Sequence, residues 1–110
     1  VNELRGGVGC LFGDSAVIDF LRRHHLTHLV RAHQLVDAGF ECRRLTDTDN
    51  SEESLWTVFS AAAYPAGEGC NSGAILHLAA GYPPQPIAFD QTEESQYASS
   101  HHASQADQHA

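Results

Sequence analysis

Asp14-Ser15-Ala16-Val17-Ile18-Asp19-Phe20-Leu21-Arg22-Arg23-His24-His25, followed at once by Leu26-Thr27-His28-Leu29-Val30-Arg31-Ala32-His33, is the stretch on which the fold turns. Val17, Ile18, Phe20 and Leu21 recur at helical spacing behind Gly13, and Asp14-Ser15 is an N-cap signal, so a helix is predicted from about Ser15 to His25. Leu26 to Arg31 is short, apolar and directly joined to that helix. It reads as a buried strand ending at Ala32-His33, while its leucine content leaves a helical reading open.

Downstream, a turn at Asp37-Ala38-Gly39 leads into Phe40-Glu41-Cys42-Arg43. Leu55-Trp56-Thr57-Val58-Phe59-Ser60 combines β-branched and aromatic residues and is the strongest strand signal, so the two segments are expected to pair as a hairpin. Between them Thr46 to Ser54 is polar and acidic with no apolar anchor, which predicts a solvated, extended loop. Ala61 to Gly69 mixes small residues with Pro and Gly and reads as a loop. A strand follows at Ala74 to Leu78, and after Pro83-Pro84 a last short one at about Ile87 to Phe89. Residues 91–110 are Gln, Ser, Glu, Ala and His without a period, and are expected to form a disordered polar tail behind a structured 1–90. The whole is an α+β pattern of one main helix with four to five mostly antiparallel strands. A single helix covers one face of such a sheet, and the other face calls for a partner.

Composition sets limits on function. Of 110 residues, 42% are hydrophobic and 18% charged, with no apolar run near the roughly 20 residues that span a bilayer, so no membrane segment is read. The formal charge is -8, from 14 acidic against 6 basic side chains, all of the latter Arg; nucleic-acid binding, which rests on clustered cations, is not expected. Cys10, Cys42 and Cys70 are odd in number and lack a CxxC, which suits neither a disulfide framework nor a zinc ribbon. They are read as reduced thiols in a cytoplasmic or nuclear setting. Val1-Asn2-Glu3-Leu4-Arg5 has neither a starting Met nor the pattern of a signal peptide, and reads as the middle of a longer protein.

His33 stands where the expected strand gives way to a loop, a place from which an imidazole can face a cleft as a metal ligand or simply be a satisfied structural residue. His24 and His25 close the helix, where a cation is favoured, and His28 and His77 fall in expected strands. His101, His102 and His109 lie in the tail, which offers no fixed geometry for a metal.

Around His33 the pieces Phe12-Gly13, Phe20-Leu21, Arg31-Ala32-His33-Gln34, Gly39-Phe40-Glu41, Phe59-Ser60-Ala61-Ala62-Ala63-Tyr64 and Asn71-Ser72-Gly73-Ala74 follow one another in order. This series resembles the last third of the phosphoprotein phosphatases, calcineurin-like metallophosphoesterases that act on phosphoserine and phosphothreonine. Their motifs run FG, an FL-containing helix, RAHQ or RSHE, GYE or GFE, FSAPNY and NxGA. The resemblance covers about residues 5 to 80, and the stretch Glu68-Gly69-Cys70-Asn71 is closer to the divergent or calcium-regulated branches than to the commonest ones.

The resemblance implies the C-terminal portion of a metallophosphatase β-sandwich with flanking helices. It also implies two divalent metal ions in the full domain (manganese, iron or zinc), a phosphoprotein substrate, and room for a regulatory protein. In that family the ions activate a bridging water for in-line attack on phosphorus while arginines neutralise the phosphoryl oxygens. By the same resemblance His33 is one metal ligand, Tyr64 lines the metal cleft, and Arg5 clamps phosphate, where its planar fork can hold two oxygens at once. This sequence departs from the pattern at four places: Ala62 and Ala63 replace the Pro and Asn of FSAPNY, one residue is inserted between Tyr64 and Asn71, Arg5 lies eight rather than seven positions ahead of Gly13, and GDxHG, GDxVDRG and GNHE are absent. Since those three motifs supply the other metal ligands and the general-acid His, the chain alone is expected to be inactive, and since one sheet face is left uncovered it is expected to be marginally stable or to aggregate. The departures equally suit a non-catalytic, degenerate phosphatase-like module that binds proteins.

Overall fold

A computed structural model describes residues 3, 6–46 and 52–91 of the chain. It contains one helix, α1 (Asp14–Arg23), and five strands: β1 (His28–Arg31), β2 (Phe40–Arg44), β3 (Ser54–Val58), β4 (Gly73–His77) and β5 (Gln85–Phe89). β1, β3 and β2 form one sheet in that order, and β4 and β5 a second, so the α+β expectation holds. The expected tail, apart from Gln91, and residues 47–51 of the expected hairpin loop lie outside the described residues. No helix among the described residues is long and apolar enough to cross a membrane.

The chain divides into two units, Val1–Arg31 with Cys42–Trp56, and Ala32–Glu41 with Thr57–Ala110. In the first, Val17 and Leu21 of α1 are buried with Leu45 and Leu55, and Ile18 and Leu29 pack against them. Leu21 has no exposed surface, whereas Phe20, grouped with it by periodicity, is 44% exposed and lies against the His24 ring, centroids 4.6 Å apart. An apolar stripe narrower than the sequence pattern is therefore what the core uses.

Both ends of α1 differ from the sequence reading. The N-cap is Gly13, with no side-chain cap bond, so Asp14 sits inside the first turn, where its charge meets the positive end of the helix and pairs with Arg43 at 2.8 Å. At the other end Leu26 N–H donates to the Leu21 carbonyl at 2.8 Å and His25 N–H to that of Arg22 at 3.3 Å. These two bonds make a Schellman motif, and its left-handed position is taken by His25 at φ 54 rather than by glycine. The chain turn this creates lets Leu26 leave the helix and β1 begin at His28.

β2 and β3 pair as expected: Phe59 N–H donates to the Gly39 carbonyl at 2.8 Å at one end, and Leu45 N–H to that of Glu53 at 3.1 Å at the other. Arg22 grips Glu53 through Nε and Nη2, at 2.7 and 3.2 Å, tying helix to hairpin. Ser54, read from sequence as part of the solvated loop, is instead the first residue of β3 and only 4% exposed. Its hydroxyl accepts from Trp56 Nε1 at 3.1 Å and shares a 2.7 Å bond with His28 Nδ1, so a polar residue is buried because its polarity is used.

In the second unit β4 and β5 pair antiparallel, Gly73 opposite Phe89, Ala74 opposite Ala88 and Ile75 opposite Ile87. Gly73 and Ala74 are buried, while Ile75 and Ile87 are about half exposed.

Candidate functional site

The segments bearing His33 and Tyr64 both belong to the second unit. β1 ends at Arg31, and two residues later His33 adopts φ 70, a left-handed conformation that non-glycine residues enter rarely and at a cost of about 1–2 kcal/mol. Its side chain is exposed, at the strand-to-loop junction expected from sequence. A strained imidazole held in the open at a strand end is a functional candidate on physical grounds.

Tyr64 lies on the loop that leaves β3. Its ring is T-shaped against Phe59, with centroids 5.3 Å apart and planes at 81°, and the residue is 52% exposed. The preceding Ala63 has φ 51. In the motif this loop resembles, that position is Asn, one of the few residues that tolerate left-handed backbone, and Ala63 occupies the same conformation without that tolerance. No hydrogen bond joins His33 to Tyr64 among the described residues, and Arg5 lies outside them.

Asn71, to which sequence reading gave no task of its own, is central to this loop. It is 6% exposed. Its Oδ1 accepts the Tyr64 N–H at 2.8 Å, while Nδ2 donates to the carbonyls of Ala61 at 2.7 Å and Ser72 at 3.0 Å. Its backbone carbonyl also accepts the Ala63 N–H at 2.8 Å. Two glycines fit the loop to its surroundings. A Cβ on Gly69 would run into the Tyr64 carbonyl and stand 2.9 Å from its nitrogen, and one on Gly73 would meet the Phe89 ring at 2.7 Å and the Ser60 carbonyl oxygen at 2.9 Å. Gly39, at φ +82, passes so near β4 that a Cβ would lie 2.5 Å from the Gly73 carbonyl carbon. The glycines of Gly39-Phe40-Glu41 and Asn71-Ser72-Gly73-Ala74 are thus two sides of one backbone approach.

The described residues do not by themselves supply a two-metal centre. Among the described residues no group of three or more His, Cys, Asp or Glu side chains could hold a metal ion, and His33 offers one imidazole. Elsewhere, in the first unit, burial pushes the Cys42 thiol up from its ordinary value, against the lowering effect of its Ser54 hydrogen bond and of Arg44. The Cys10, Cys42 and Cys70 thiols are free.

No protein-family model matches the chain. The chain is similar to serine/threonine-protein phosphatase with EF-hands 1 of Mus musculus, 34% identical over 94 residues, which cover 86% of this chain and 13% of that protein. It is also similar to the protein of the same name from Rattus norvegicus, 33% identical over 94 residues with the same coverage. The chain therefore spans about an eighth of the length of these curated relatives. With the ordered motifs, these matches support a distant relationship to the serine/threonine phosphatases of the phosphoprotein phosphatase type, for a stretch of that length.

Proposed function

We propose that the chain is the C-terminal part of a metal-dependent serine/threonine protein phosphatase catalytic domain, with residues 1–90 belonging to that domain and 91–110 forming a polar tail. The complete domain hydrolyses phosphoserine and phosphothreonine esters of proteins, and this stretch alone is inactive. The observation that carries the reading is similarity to a phosphatase across 86% of the chain.

In this reading His33 gives one imidazole nitrogen to a pair of divalent ions, manganese, iron or zinc, whose other ligands come from outside the stretch. When bound, such ions would supply the Lewis-acid chemistry that activates a water for attack at phosphorus. Tyr64 lines the cleft, and Arg5 neutralises phosphoryl oxygens through its planar fork. The substrate is a phosphoprotein, a regulatory protein is a further partner, and the reduced thiols suit the cytoplasm or nucleus.

A second reading, a degenerate phosphatase-like module that binds proteins without catalysis, draws support from one feature: Ala63, left-handed at φ 51, stands where the resembled motif has Asn. A phosphopeptide assay with added manganese separates the two. The longer protein carrying GDxHG, GDxVDRG and GNHE is expected to release phosphate and this chain is not. Absence of turnover in both would favour the module.

A further inference from the structure

We propose that Asn71 is the positioning residue for Tyr64, setting through backbone bonds where the exposed ring stands. Among the described residues Tyr64 as a whole is 52% exposed, and its ring meets the Phe59 ring edge-on. What is fixed is its backbone. One planar amide, 6% exposed, bonds the Tyr64 N–H and the Ala61 carbonyl, and the same residue's carbonyl takes the Ala63 N–H, so three of the four residues 61–64 are bound to Asn71.

The chemistry requires Asn here. An acceptor and two donors are needed on one rigid group; Asp lacks the donors, Ala lacks both, and Ser is too short to serve three partners. Both Nδ2 protons are used, on Ala61 and Ser72, so the amide has no donor left for a ligand, and its effect on any ligand passes through Tyr64. Gly69 completes the arrangement, because any Cβ there would displace the Tyr64 carbonyl.

That Tyr64 needs placing rests on the phosphatase reading; that Asn71 places it does not, and the two are tested separately. In the isotope-labelled whole chain, the Tyr64 amide is expected to exchange with solvent about 100-fold more slowly than an unprotected amide, since its bond to Asn71 must open first. Exchange at the unprotected rate overturns the proposal, and this measurement needs no variant to fold. In Asn71→Ala the nuclear Overhauser contacts between the Phe59 and Tyr64 rings are expected to vanish while those between Ala74 and Ala88 across β4 and β5 persist. Persistence of the ring contacts in that variant overturns it as well. In the longer protein, Asn71→Ala is expected to lower kcat by the same factor as Tyr64→Phe at unchanged KM, the double variant losing no more than either. A further loss in the double variant would make Asn71 independent of Tyr64. If the longer protein has no activity, the phosphatase reading fails and the exchange rate still decides the role of Asn71.

Discussion

Leu21 lies fully buried beside Val17, Leu45 and Leu55 in the first unit, whereas the tightest places of the second are where Gly39, Gly69 and Gly73 let backbone meet backbone and Asn71 bridges the gap. The first unit is held by apolar area that a helix delivers to a sheet. The second, besides its β4–β5 pairing, has close backbone approaches at three glycines and one bridging amide. Apolar packing tolerates repacking, while a backbone approach with no Cβ to spare does not. Of the residues with a candidate chemical role, His33 and Tyr64 fall in the second unit.

The comparison breaks most visibly at Gly39. In Gly39→Ala the new Cβ meets the Gly73 backbone at 2.5–2.7 Å at a φ of +82, and a loss of about 4 kcal/mol is expected, from left-handed strain plus overpacking. Denaturant unfolding of the whole chain measures it; a loss under about 1 kcal/mol would mean the approach is soft. Leu21→Ala should cost about 3 kcal/mol by opening a cavity, and Leu21→Met much less, since volume is what matters there.

A smaller effect of opposite sign is expected at His25. Its φ of 54 closes the Schellman motif, so His25→Gly should stabilise by about 1 kcal/mol, read as a rise in the unfolding midpoint. The smallest effect concerns pH. Because burial raises the Cys42 thiol, the protonated form is favoured in the folded chain. That contribution is complete below the ordinary thiol value of 9.0 and is lost as pH rises through the folded value. The midpoint of the native chain should therefore fall faster above pH 9 than that of Cys42→Ala.

The two units also differ in what their sequence discloses. Helix α1, the β2–β3 pairing and the strands near Ala74 and Ile87 are legible because each carries its own period or turn signal. The slips are local: Gly13 rather than Asp14 or Ser15 caps the helix, and Ser54 is a buried strand residue because His28 and Trp56, distant or hidden in the pattern, satisfy its hydroxyl. His33 was legible as a candidate from its place at a strand end, while Tyr64 was legible only as a member of an ordered motif series. The task of Asn71 and the fit of Gly39 to Gly73 were not, since both depend on segments that meet only after folding, and no spacing in one sequence encodes which carbonyl an amide will reach.

The phosphatase account stands or falls on His33 as a metal ligand. The direct measurement is the metal content of an upstream-extended protein in which GDxHG, GDxVDRG and GNHE are sought, beside its His33→Ala variant, each assayed for phosphopeptide hydrolysis. The account predicts about two divalent ions per chain in the parent, with both occupancy and turnover falling sharply in the variant. Unchanged metal content and unchanged turnover in His33→Ala would contradict it.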